Sequence, residues 1–346
     1  MKAPGKDRLA LIACALGTLV LPAFLDDSAV SVYVLMELTA MVTVGVSLLM
    51  GYAGQVSLGQ AAFYASGAYT AGLLSVHGFP TLLGLLVAPL GAAFLALIAG
   101  VPLLRLRGHY LAFATLALHL ICLSVLGGMK VTGGDIGLRG IPRLGIGSLE
   151  LHADRDYAYL AWFALAAIVL LTRNVIDSRP GRALRALASS EVAAASSGVP
   201  VGRYKLTVFA LSAAYAGLAG GIYAYYVGYL APGSFPVLMS FQFVVMATVG
   251  GLGTVAGALV GTVAITLAVH ALNLLATMEG MPSSAPSILS YGVYSVLLIT
   301  SVLFLPQGAV PALRDWWRRR RARLGSARVD DLLEPAREKV NREQAL

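Results

Sequence analysis

Gly51-Tyr52-Ala53-Gly54-Gln55-Val56-Ser57-Leu58-Gly59-Gln60 interrupts two apolar runs, 30–50 and 61–76. Each glycine costs roughly 1 kcal/mol relative to alanine in a helix interior. Glycine also lets the chain leave helical geometry and approach other backbone closely. In a lipid bilayer, irregular backbone survives only where protein or a watery cavity surrounds it. Gly51, Gly54, Gln55, Ser57, Gly59 and Gln60 therefore admit two readings. They form a turn between two ordinary spans, or a broken helix whose polar residues line a solute pathway.

The chain around this stretch decides the class. It has 346 residues, 58% hydrophobic and 12% charged, whereas soluble domains carry about 25% charged residues. The composition specifies an all-α, polytopic integral membrane protein. At about 20 residues per span, the apolar runs give about nine or ten transmembrane helices, glycine-broken segments included. They lie at 9–25, 30–50, 60–76, 82–104, 109–129, 157–172, 206–227, 235–249, 258–275 and 288–305. Lys2, Lys6 and Arg8 precede the first run, which reads as a retained helix with its N-terminus in the cytoplasm.

The net charge of +8 comes from basic residues gathered in short segments between apolar runs. That is the pattern of cytoplasmic loops, not of nucleic-acid binding. Arg105 and Arg107 mark one such loop. The segment 173–205 is another, with Arg173, Arg179, Arg182, Arg185, Arg203 and Lys205 against Asp177 and Glu191. The loop 130–156 is balanced in charge and falls on the opposite, outer side. Parity places both ends of 235–275 on that outer side, so the segment dips in and returns or crosses twice. Its middle holds a second glycine-rich run, Gly250-Gly251-Leu252-Gly253-Thr254-Val255-Ala256-Gly257. Gly217, Gly220 and Gly221 are spaced for close helix packing. Tyr223, Tyr225, Tyr226 and Tyr229 follow where an aromatic interface belt is expected. Residues 1–310 form the membrane domain, and 311–346 a basic cytoplasmic tail.

Residues that could do chemistry are few. The sequence has no G-x-x-x-x-G-K-[ST] loop, no His/Cys metal spacing and no nucleophile with a believable base. Neither an enzyme, a metal site nor a cofactor is expected. Glu37 is the acidic residue inside a confident span. An intramembrane carboxylate marks a functional site by default, unless the span starts late enough to put it near the interface. Within 173–205, the stretch 182–197 is rich in Ala and Leu and reads as one short helix between Gly181 and Gly198. It is too polar to insert and suits docking of a partner that supplies energy.

As a set, several blocks closely resemble the inner-membrane permeases of branched-chain amino acid ABC importers, in their M-type form. They are 51–63 with Gly67-Ala68-Tyr69, the loop 132–142 ending in Gly140-Ile141-Pro142, the segment 179–205, and 250–257. The resemblance covers about residues 30–308. It implies a permease that forms half of a translocation pathway in the bacterial inner membrane. Its partners would be a second related permease, two cytoplasmic ATPase subunits and a periplasmic solute-binding protein. It implies pathway residues in the broken segments, at Gly51, Gly54, Gln55, Ser57, Gly59, Gln60, Gly250, Gly251 and Gly253; Glu37 is a further candidate from its place in the second span. It implies ATPase docking at Gly181, Arg182, Arg185, Glu191 and Gly198. The same architecture could carry urea, short amides or other amino acids. A self-sufficient secondary carrier and a non-transporting scaffold are the rivals of other classes, and the shortage of intramembrane charge argues against ion coupling.

Overall fold

The computed structural model describes residues 17–146, 149–276, 292 and 296. After a short 3-10 turn at Leu21–Ala23, ten helices follow among the described residues. They are α1 (Asp27–Ala53), α2 (Gln60–Val76), α3 (Thr81–Leu103), α4 (His109–Gly128) and α5 (Asp154–Asp177), then α6 (Arg179–Ser189), α7 (Glu191–Ser196), α8 (Val201–Val227), α9 (Val237–Gly250) and α10 (Val255–Ala276). Two-residue strands, β1 (Gly145–Ile146) and β2 (Leu149–Glu150), pair antiparallel in the loop before α5. Seven helical segments are long and apolar enough to cross a membrane. These are α1, α3, α4, α5, α8, residues 232–250 and residues 255–272. The 17 residues of α2 span roughly 25 Å at the usual helical rise. The expected spans at 9–25 and 288–305, and the tail, fall largely or wholly outside the described residues.

The core forms where α8 crosses α2 and α3. A Cβ on Gly67 of α2 would overlap the backbone of Gly217 on α8, and one on Gly220 would overlap the Tyr64 carbonyl. A Cβ on Gly221 would press on Ala88 of α3. Small residues thus bring three helix backbones together, which is how helices associate where lipid supplies no hydrophobic drive. Tyr64, Tyr223, Phe235 and Phe243 cluster beside this crossing, with ring centroids 5.6–6.3 Å from Tyr64.

Two sequence expectations are corrected here. Tyr225 does not join an interface belt. It is 1% exposed, and its hydroxyl pairs with Ser75 at 2.8 Å and donates to the Thr81 carbonyl at 2.8 Å. A buried phenol needs such a partner, and the end of α2 and the start of α3 supply it. The single helix expected over 182–197 is two helices, because Ser190 is extended (φ −160°, ψ 116°) and its side chain caps Ala193 N–H as the N-cap of α7. The segment 235–275 forms an antiparallel hairpin of α9 and α10, in which Gly250 lies against Gly257 and Met246 against Gly261. Both arms, 232–250 and 255–272, are long and apolar enough to cross.

The loop 130–156 covers the end of the bundle opposite the arginines. Leu138 and Leu230 exchange backbone hydrogen bonds at 2.7 and 3.0 Å, tying this loop to the α8–α9 connection. Thr132 Oγ1 donates to the carbonyls of Leu126 and Met129 at the end of α4.

Candidate functional site

The two glycine-rich runs meet. α1 ends at Ala53, with Gly54 left-handed (φ 64°) as its C-cap. One turn earlier, Gly51 packs on the second run, and a Cβ there would overlap the backbone of Gly253 and Leu252. Gly54 also faces Ala188 of α6, 3.9 Å from where its Cβ would stand. The junction therefore lies at the arginine-bearing end of the bundle, against α6.

A ridge of α1 leads to this junction in steps of four. Thr43 Oγ1 lies 4.0 Å from Met246 Sδ, and Ser47 Oγ donates to the Thr254 carbonyl at 3.4 Å. Thr39, Thr43, Ser47 and Gly51 thus form one row facing α9 and α10, the geometry of ridge-into-groove packing. Thr39, Thr43 and Ser47 are not among the residues expected from sequence. The visible sign of the row is the four-residue repeat of small hydroxyl residues ending on a glycine.

From Gly54 to Gly59 the chain is not helical, yet alternate residues are buried. Gln55, Ser57 and Gln60 are 2%, 1% and 0% exposed. The backbone is anchored sideways. Leu58 N–H donates to Thr115 Oγ1 at 2.9 Å, and Ala61 N–H donates to Ser240 Oγ at 3.1 Å. Ser240 in turn pairs with His119 Nδ1 at 3.3 Å, and His119 Nε2 with the Phe235 carbonyl at 3.2 Å. One proton arrangement satisfies all of these contacts. Ser240 accepts from Ala61 and donates to Nδ1, and the Nε2–H of neutral His119 donates to Phe235. This chain ties the start of α2 to α4 and α9. Replacing Ser240 with alanine leaves both Ala61 N–H and His119 Nδ1 without their partner. It is expected to destabilise the detergent-solubilised protein by about 1–3 kcal/mol, measured as a lower unfolding temperature, whereas threonine should retain most of the stability.

The side-chain amides of Gln55 and Gln60 behave differently. Their four polar atoms have no hydrogen-bond partner among the described residues. Burying such groups unpaired costs about 1–3 kcal/mol each, and buried orphans in a native fold call for an explanation. Glu37 is also buried, 3% exposed, and its Oε2 has no partner among the described residues. It lies ten residues into α1, roughly 15 Å from its start, and away from the Gly51–Gly253 junction along that helix.

Residues 28–302 match the family described as branched-chain amino acid transport system / permease component. The chain belongs to that family. The permease is 30% identical, over 89% of its length, to the high-affinity branched-chain amino acid transport system permease protein LivM of Escherichia coli K12, covering 76% of that protein. The LivM of Salmonella typhimurium matches equally, at 30% over 89% of this chain and 76% of its own. A probable branched-chain amino acid transport permease protein LivM of Methanocaldococcus jannaschii is 24% identical over 66% of this chain and 68% of its own. No solved structure matches the permease.

At the arginine-bearing end of the permease, α6 packs on α1, α5 and α8, and α7 on α8. Leu184 and Leu187 are buried beneath α6, and Ala194 beneath α7. Arg182 and Arg185 point outward, as does Val192. Gly181 is the joint between α5 and α6, where a Cβ would overlap the Ile176 carbonyl. Glu191 forms an ion pair with Lys205 of α8, which is 8% exposed. Its carboxylate is therefore engaged within the permease and holds α7 to α8. Gly198 is left-handed (φ 79°) in open space.

Proposed function

We propose that this permease is the membrane-spanning subunit of an ATP-binding-cassette importer and forms half of a translocation pathway for branched-chain or related amino acids. A second related permease supplies the other half. Two ATPase subunits dock on α6 and α7 through Arg182, Arg185 and the surface beside them. A solute-binding protein delivers solute at the opposite end. The arginine-bearing end, the N-terminus and the basic tail are cytoplasmic in this reading, in keeping with the positive-inside rule, and the membrane is the bacterial inner membrane.

One observation carries the proposal. The docking helix α6 lies directly under the junction of the two glycine breaks, at Gly54 and Ala188. A force applied at α6 therefore acts where backbone packs on backbone without side chains to absorb it. Gln55, Ser57 and Gln60 in the adjoining segment supply polar groups beside that junction. Membership in the branched-chain amino acid permease family and the likeness to LivM support the solute class.

The test is reconstitution of the permease with its partner permease, ATPases and binding protein in vesicles holding ATP. Leucine, isoleucine and valine should accumulate against their gradients, and omission of the ATPases should stop accumulation completely. Accumulation by the permease alone would overturn the reading. Accumulation of urea or short amides in place of these amino acids would keep the architecture and replace the solute.

A further inference from the structure

Above the glycine junction, α1, α9 and α10 line a half-open cleft of about 260 Å³. Met239, Met246 and Val269 give it apolar walls, and Thr39, Gln242 and Thr266 add polar groups. Thr39 lies twelve residues into α1 and Thr266 eleven residues into α10. At about 1.5 Å per residue both stand roughly 17–18 Å from those helix starts. The cleft is therefore near the middle of a hydrocarbon core about 30 Å thick. Its floor is the Thr43–Met246 contact, and the next step down the same row of α1 is Ser47 on Thr254.

The lining selects its occupant by chemistry. The volume falls below the roughly 300–1,000 Å³ of pockets for drug-sized ligands, so the occupant has few heavy atoms. Two methionines make an adaptable apolar wall that accepts branched shapes. None of the lining side chains is charged, so an ionised side chain would enter without a counter-charge, at high cost. Thr39 Oγ1 spends its proton on the Leu35 carbonyl at 2.6 Å, which leaves it an acceptor toward the cleft. Gln242 offers both a donor and an acceptor. An acyl chain would leave that amide facing hydrocarbon, which disfavours lipid as the occupant.

We infer that this cleft receives the transported amino acid, with its aliphatic side chain against the methionine walls and its polar end hydrogen-bonded by Gln242. The inference rests on the proposed amino-acid import. It adds a site within this chain that distinguishes aliphatic side chains by size, apart from any selection by the binding protein.

The experiment measures leucine and valine uptake by the complete reconstituted complex, each delivered by the same saturated binding protein. Val269→Phe narrows the cleft. It should lower leucine uptake relative to valine by about ten-fold, the scale of one methylene in an apolar pocket. Met239→Ala widens the cleft and should shift the ratio toward leucine. It decides the matter if Val269→Phe fails to assemble. A leucine-to-valine ratio within two-fold of the parent value in the assembled variants overturns the inference, as does an equal loss of both solutes. A ratio that follows the acyl-chain length of the vesicles instead assigns the cleft to lipid and also overturns it. Absence of ATP-driven uptake by the unaltered complex would refute the import reading itself, and normal uptake with unaltered variant ratios would refute the cleft alone.

Discussion

Replacing Gly51 with leucine is expected to abolish transport. The new side chain would meet the backbone of Gly253 and Leu252, and neither offers a side chain that can swing aside. The α9–α10 hairpin must then separate from α1, or α1 must shift along it. Overpacking a close-packed site commonly costs about 1–3 kcal/mol, and this position belongs at the upper end because only main chain opposes the insertion. The contacts of Ser47 with Thr254 and of Thr43 with Met246 lie on the same row and should be lost together. The measurement is ATP-driven uptake by the reconstituted complex, with thermal unfolding of the purified permease beside it. Gly202 meets open space in the first turn of α8, so Gly202→Leu should transport normally. Wild-type uptake by Gly51→Leu would show that the two breaks do not bear on each other in the working protein.

Reversing the charges of Arg182 and Arg185 should leave the permease folded and silence its partners. Both side chains point away from the bundle, while the buried side of α6 is held by Leu184 and Leu187. Arg182→Glu/Arg185→Glu therefore changes the surface without disturbing the core, and surface substitutions of this kind usually alter stability by less than about 0.5 kcal/mol. Solute-stimulated ATP hydrolysis by the reconstituted complex should fall to the level of the ATPases alone. An unchanged rate would move the docking surface elsewhere. Loss of folding, seen as a lower unfolding temperature, would mean that the arginines stabilise α6 directly.

How much of this is readable in the sequence depends on the range of the interaction. The bounds of α2 are readable because Gly59 stands at one end and the His77-Gly78-Phe79-Pro80 turn at the other, so local chemistry sets both limits. The close packing at Gly217, Gly220 and Gly221 is readable from spacing alone, although the partners Gly67, Tyr64 and Ala88 are not. The division of the segment 179–196 turns on Ser190, which prefers an N-cap to a helix interior because its hydroxyl competes for nearby backbone. Ser189-Ser190-Glu191 carries that information once it is looked for. The meeting of Gly51 with Gly253 is set by tertiary packing, and neither run by itself indicates the other. The ion pair that engages Glu191 is not readable, because its partner Lys205 lies beyond the helix break. The His119–Ser240 link is hidden for the same reason, since each residue alone looks like an ordinary packing residue of an apolar run.

The ion pair between Glu191 and Lys205 has a mechanical consequence. Lys205 sits near the base of α8, which runs unbroken for 27 residues, about 40 Å at the helical rise. Further along, α8 is gripped at Gly217 and Gly220 by helices that cannot interpenetrate it. A pull on α7 that preserves the pair must therefore swing α8 as a stiff beam about that grip, with the far end moving opposite to the base. Leu230 lies just beyond the far end and is stitched to Leu138 of the covering loop. The same swing would thus lift or lower that loop at the opposite face of the membrane.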